Sequence, residues 1–159
     1  MWVRSFKIVS GGQTGVDRAA LDEAMAAGLT VGGWCPAGRR AEDGTIPKTY
    51  PLKETPSEEY ALRTAWNVRD SDGTLIVCRG EPVGGTALTQ MEAVQRGKPL
   101  FVAHPDSVES SRVRDWMVEN RVLVLNVAGP RESEEPGIYL DVRRVMRNII
   151  SVSRRRFHY

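Results

Sequence analysis

The chain is poor in the residues that most often announce chemistry. Its 159 residues hold two cysteines, Cys35 and Cys78, and two histidines, His104 and His158. Two thiols so far apart make neither a disulfide framework nor a zinc site. Both are expected as small hydrophobes at strand ends. Cys35, with Arg39 and Arg40 nearby, is also a candidate reactive thiolate or soft-metal ligand. No Ser-His-Asp grouping, carboxylate pair or metal-ligand cluster emerges. No apolar run approaches the ~20 residues that span a bilayer, and the opening MWVRSFKIVS lacks the apolar core of a signal peptide. No membrane partner is expected, and cytoplasmic residence is.

Charge of one sign is also scarce. The formal net charge is only +2, so no global field argues for nucleic acid. The local exception is Arg154-Arg155-Arg156, read as cations complementing the carboxyl end of a helix. Single-stranded nucleic acid would need a basic groove with interleaved aromatics, and the sequence shows none.

What remains is an ordinary globular composition, 41% hydrophobic and 26% charged, and a length that suits one domain over residues 1–159. Apolar runs rich in Val, Ile and Leu recur at Lys7–Val9, Thr30–Cys35, Thr74–Cys78, Pro99–Ala103 and Val122–Val127. They are continuous rather than alternating, the pattern of strands covered on both faces. Helical spacing lies between them. Val16, Ala20, Ala24 and Ala27 share one face; Ala61, Ala65 and Val68 share a second, opened by Ser57, Glu58 and Glu59. Ala87, Leu88, Met91 and Val94 line a third, and Val113, Trp116 and Met117 a fourth. Val142, Val145, Met146, Ile149 and Ile150 complete the series at i, i+3, i+4, i+7 and i+8. The alternation predicts an α/β, Rossmann-like, doubly wound fold: a mainly parallel sheet of about five strands with helices on both faces.

Two glycine-rich turns carry the functional signal. Ser10-Gly11-Gly12-Gln13-Thr14-Gly15-Val16-Asp17 follows the first run, and Val83-Gly84-Gly85-Thr86 follows the third. Strand, glycine turn and helix together aim backbone N–H groups and a helix dipole at one point, which suits an anion such as phosphate. Two such turns at one sheet edge suit two ends of one phosphorylated ligand. The first turn lacks the Lys-Ser/Thr pair of a Walker A loop and the G-x-G-x-x-G spacing of dinucleotide binders.

Gly11, Gly12, Thr14 and Gly15 are therefore candidates for one phosphate, and Gly84, Gly85 and Thr86 for a second phosphate or the sugar. Gln13 sits at the apex of the first turn, and Asp17 is placed to bond a ligand hydroxyl or the helix dipole. Arg39 and Arg40, in the polar connection from Pro36 to Pro56, are candidates to clamp the anion. Trp34 or Tyr50 is expected to stack on a ring, and Arg79 and His104 are further candidates. A second long connection runs from Gly129 to Gly137. Both glycine turns are expected to tolerate valine without loss of fold, and loss of Arg39 with Arg40 to leave stability intact.

The runs SGGQTGVDRAALDEAMAAGLTVGGWCPAGRRAEDG, YPLKET, RTAWNVRDSDGTLIV and GGTALT resemble the molybdenum carrier family. The resemblance is strong over Lys7 to Ala103. It implies membership of a circularly permuted branch of the Rossmann-like SLOG superfamily. It also implies a carrier of molybdenum cofactor (molybdopterin) or a nucleotide, and a homo-oligomer, a dimer or higher. Superfamily relatives include phosphoribohydrolases that cleave nucleoside monophosphates with a glutamate in G-G-x-G-T-x-x-E. This chain places Thr89 at that glutamate's position, with Glu92 one helical turn on. The expectation is a binding protein for a phosphorylated small molecule rather than an enzyme, with an N-glycosidase as the alternative.

Overall fold

In a computed structural model, which describes residues 5–154, five short strands form one parallel sheet. They are β1 (Lys7–Val9), β2 (Val31–Gly32), β7 (Gly73–Val77), β8 (Leu100–Ala103) and β9 (Val124–Ala128). Four further strands lie in the long connection: β3 (Trp34–Cys35), β4 (Arg40–Ala41), β5 (Gly44–Thr45) and β6 (Lys53–Glu54). The helices are α1 (Val16–Ala26), α2 (Tyr60–Arg69), α3 (Gly84–Gln95), α4 (Ser110–Glu119) and α5 (Ile138–Arg154).

The sheet order is β2-β1-β9-β7-β8, and every neighbouring pair is parallel. Right-handed crossovers dictate the layers. Chain movement toward β2 puts α1 and α4 on one face, where α5 packs between them. Movement toward β8 puts α2 and α3 on the other. Read from β9 onward, the strands take the 3-2-1-4-5 order of a doubly wound sheet. The chain opens between α5 and β1 instead of before β9. The Rossmann-like class read from the strand pattern is what the structure shows.

The periodicity of α5 places its stripe correctly: Val142, Val145, Met146, Ile149 and Ile150 are all buried in the main core with Ile8, Leu75 and Leu125. That face covers the sheet.

Two expectations fail. The run Thr30–Cys35 is not one strand. Gly33 has φ +124°, and a Cβ there would overlap the Ser10 carbonyl, so the chain turns out of the sheet after β2. Trp34–Cys35 pairs with β6 instead, and the Asn67 side chain accepts from Trp34 N (2.7 Å) and donates to Trp34 O (2.9 Å). The stripe expected on α3 is also misplaced. Met91 and Val94 are exposed, while Thr86, Thr89 and Ala93 are buried. Small side chains let α3 approach α2 and the sheet closely, and the larger ones turn outward.

The connection from β3 to α2 carries its own small core of Leu21, Cys35, Ile46 and Leu52. It lies against α1, where Tyr50 Oη donates to Asp22 (2.8 Å) and Arg18 pairs with Asp43. No helix among the described residues is long and apolar enough to cross a membrane.

Candidate functional site

At the carboxyl edge, β9 feeds α5 on one face and its neighbour β7 feeds α3 on the other, the kind of position where doubly wound sheets bind ligands. A cavity of about 220 Å³ opens there. Asn126 to Gly129 form its floor, the two glycine turns contribute Gly11 and Gln13 on one side and Gly85 and Thr86 on the other, and α2 contributes Tyr60 and Arg63. The structure thus brings the two turns to a single space, but with unequal roles.

Four amides of the first turn are taken up by the protein itself. Gly12 N donates to Ser10 Oγ (3.4 Å), Gln13 N to Asp17 Oδ2 (3.1 Å), Thr14 N to Gln13 Oε1 (3.1 Å) and Val16 N to Pro130 O (3.3 Å). Thr14 Oγ1 donates to the Glu42 carboxylate. Gly12, Thr14 and Gly15 do not line the cavity. Gly12, at φ +75°, packs so that a Cβ would lie 2.5 Å from Leu52 Cδ1. A Cβ at Gly15 would lie 2.5 Å from Pro130 O. Both glycines answer a close approach of protein, and neither lines the cavity. Gly11 makes room for Arg63, whose guanidinium a Cβ there would overlap.

Gln13 is the informative side chain. It is 6% exposed, and its Nε2 has no hydrogen-bond partner. Its orientation is fixed, because Oε1 accepts from two backbone amides, Thr14 N and Glu42 N (2.9 Å). Swapping oxygen and nitrogen would set donor against donor. A buried unpaired amide donor costs about 1–3 kcal/mol, and this one belongs to a cavity-lining residue. Beside it, burial pushes the Asp17 carboxyl above the ordinary carboxylate range, against the opposing pull of Arg63 (3.3 Å) and of the Gln13 amide.

The second turn is open. α3 has no side-chain cap, and its first intrahelical bonds are donated by Thr86 (3.0 Å) and Ala87 (3.2 Å) to Val83 O. The Gly84 and Gly85 amides therefore have no intrahelical partner and stand at the positive end of the helix dipole. A Cβ on Gly85 would meet no atom within 4 Å.

The arginines are redistributed. Arg39 is not at the cavity: its guanidinium donates to the carbonyls of Ile46 (3.1 Å), Pro47 (2.8 Å), Tyr50 (2.9 Å) and Leu52 (3.3 Å) and holds the connection closed. Arg40 does not line it either, donating to Glu58 O (3.1 Å) and lying over the Tyr60 ring at 5.4 Å. Arg63 and Arg131 line it, over the same ring at 5.3 and 5.6 Å. Sequence reasoning missed both. The available signals were their positions, one inside the RTAWNVRD run and the other in the long connection after β9.

The remaining candidates have other partners. Trp34 donates from Nε1 to Asp70 (2.8 Å) and packs edge-on to Trp66, and Tyr60 is the aromatic at the cavity. Arg79 pairs with Asp141 and Asp106, and the His104 ring accepts from Asp106 N (3.1 Å). Cys35 is fully buried and burial pushes its thiol up, so it is no reactive thiolate. Arg154 donates to Ala27 O (2.7 Å), while Arg155, Arg156 and His158 lie outside the described residues. Thr89 lines the cavity with its hydroxyl bonded to Gly85 O (3.1 Å). Glu92 instead pairs with Arg96 (3.0 Å) one helical turn away.

The comparisons with known proteins agree with this fold. The model of the Circularly permutated YpsA SLOG family matches residues 8–150. The fold is similar, with a TM-score of 0.91, to a crystal structure described as that of "Putative molybdenum carrier protein" from Syntrophus aciditrophicus SB. The two are 42% identical, over 94% of this chain and 98% of that chain. None of the curated proteins matches. A doubly wound sheet whose order is regular only when read from its last strand is what a permuted chain produces, and this chain belongs to the Circularly permutated YpsA SLOG family.

Proposed function

We propose that the chain binds a phosphorylated nucleotide-like or pterin-like small molecule in the cavity over β9 and carries it without transforming it. The observation that carries this reading is the unpaired Gln13 Nε2 at a cavity whose opposite wall is the uncapped start of α3. The Gly85 amide and the Thr86 hydroxyl receive the phosphate. Gln13 meets an acceptor on the rest of the ligand, and Asp17 takes a hydroxyl or ring N–H. Tyr60, backed by Arg40, Arg63 and Arg131, gives a ring face at the same cavity.

The name of the Syntrophus relative speaks of molybdenum, which supports a molybdenum-bearing cargo, and molybdenum cofactor is the form that suits this cavity. Its phosphate and polar pterin edge match the start of α3 and Gln13, while neither Cys35 nor Cys78 lines the cavity to supply a thiolate. The absence of a carboxylate at position 89 supports carriage over N-glycoside hydrolysis, since threonine has no comparable basicity.

Mass spectrometry of small molecules released from the purified protein tests the reading. A panel of nucleoside monophosphates and pterin phosphates, followed by melting temperature and by release of free base, complements it. A phosphorylated compound that co-purifies or raises the melting temperature, with no base released, is the expected result. Steady release of base would instead establish an enzyme, and absence of both binding signals would end the proposal.

A further inference from the structure

The hairpin of β4 and β5 reaches four other segments through consecutive or neighbouring residues. Arg40 lies over Tyr60, Glu42 reaches the first glycine turn and the β9–α5 connection, and Asp43 pairs with Arg18. Glu42 is outside the cavity, yet it reaches two residues that line it, Gln13 and Arg131. Its Oε1 accepts from Thr14 Oγ1 and from Ser133 N (3.2 Å), and its Oε2 accepts from Ser133 Oγ (2.5 Å). Arg131 Nε stands 3.9 Å from the same carboxylate, but its nearer partner is Glu134 at 2.8 Å. The backbone amide of Glu42 donates to Gln13 Oε1. A carboxylate collecting donors beside a glycine turn takes the role usually given to a bound anion. Here the protein supplies that anion itself.

Resting on the reading of the cavity as the ligand site, we infer that Glu42 is a positioning residue: it ties the hairpin to Thr14 and Ser133 so that Gln13 presents its Nε2 to the ligand. The first glycine turn then recognises the ligand through a side-chain amide, not through its backbone. Gln13 Oε1 has two donors to satisfy, and one of them travels with Glu42. When the hairpin detaches, Gln13 keeps only its sequence neighbour and is free to rotate its nitrogen toward water. Glu42 sits 29 residues from Gln13 and 91 from Ser133, so the tie exists only in the folded chain.

Glu42→Ala and Glu42→Gln separate this role from a general loss of stability. Glutamine keeps the Oε1 acceptor for Thr14 and Ser133 N, and the Ser133 hydroxyl can reverse to accept from the new amide. By NMR without ligand, the Gln13 side-chain amide pair is expected at distinct, exchange-protected positions in the wild type and in Glu42→Gln. It collapses to the solvent-averaged position in Glu42→Ala. Ser133→Ala, which removes one tie and leaves Glu42 in place, shifts the pair in the same direction. With adenosine and guanosine monophosphates as probes, Glu42→Ala weakens binding by about fivefold, and the loss vanishes in a Gln13→Ala background. Unmoved Gln13 resonances in Glu42→Ala and Ser133→Ala, or additive losses in the double variant, would overturn the assignment. If neither nucleotide binds the wild type, the reading of the cavity is what suffers, and the resonances still decide the role of Glu42.

Discussion

Valine at Gly85 places a branched side chain in the first turn of α3, where a Cβ meets no atom within 4 Å and the backbone needs no positive φ. Helix propensity there improves by roughly 0.5 kcal/mol relative to glycine. The variant is expected to melt at or slightly above the wild type, while its side chain fills the start of the cavity. Binding of the phosphorylated ligand falls at least tenfold, about 1.4 kcal/mol, by calorimetry. Valine at Gly12 acts in the opposite sense. Its backbone sits at φ +75° and its Cβ would press on Leu52. The strain costs on the order of 3 kcal/mol, a fall in melting temperature of roughly 10 °C for a chain of this size. A Gly12→Val protein that melts normally would show that the turn can relax around the side chain. Both residues sit in glycine turns after strands, and the sequence expectation treated them alike. Burial of Gly12 under the long connection separates them, and no local pattern encodes that contact.

The connection between β3 and α2 behaves as an element in its own right, closed around Arg39. One guanidinium bonds four carbonyls between Ile46 and Leu52, and Ile46 and Leu52 form a small core with Leu21 and Cys35. Arg39→Ala leaves those carbonyls to water and is expected to cost about 2 kcal/mol. The sign of its local opening is faster proteolytic cleavage between residues 39 and 52. Lysine restores little, because a single ammonium cannot span four acceptors as a planar fork does. The sequence expectation was the reverse: an exposed arginine that clamps ligand and leaves stability untouched. Cleavage and melting indistinguishable from the wild type would reinstate that expectation. The arginine pair between glycines was legible as important. Its use was not, since an arginine at a loop serves backbone carbonyls or a ligand according to what the fold brings within reach.

At the scale of the whole molecule, the sheet is regular only when read from β9, and the described ends lie at one edge. Arg154 bonds Ala27 O just before β2, the strand beside β1. A circular permutant opened in the α4–β9 turn at Arg121, with Ser5 and Arg154 joined through a flexible linker, is expected to fold to the same sheet. Its melting should stay within a few degrees of the parent, and it should bind the same compounds. Loss of cooperative melting would mean that the natural opening is required for folding. The new β9–α5–β1 order would restore the commoner doubly wound sequence, with the cavity over its first strand.

The sequence by itself determined the parallel sheet and the covering of its faces. Continuous apolar runs at Lys7, Thr74 and Pro99 and the stripe of α5 encode burial through the periods of strand and helix, and these are local properties of the chain. It also located the two glycine turns, and the structure gathers Gly11, Gln13, Asp17, Gly85 and Thr86 of its candidates at one cavity. Only the tertiary structure decided how many amides each turn keeps for itself. Glu42 and Pro130, distant in sequence, take up donors of the first turn, and nothing among the described residues does so for Gly84 and Gly85 at the start of α3. It likewise decided that Arg63 and Arg131, not Arg39 and Arg40, line the cavity. A backbone donor or a guanidinium is committed by whatever acceptor the folded chain places within about 3 Å, and local spacing does not specify that acceptor.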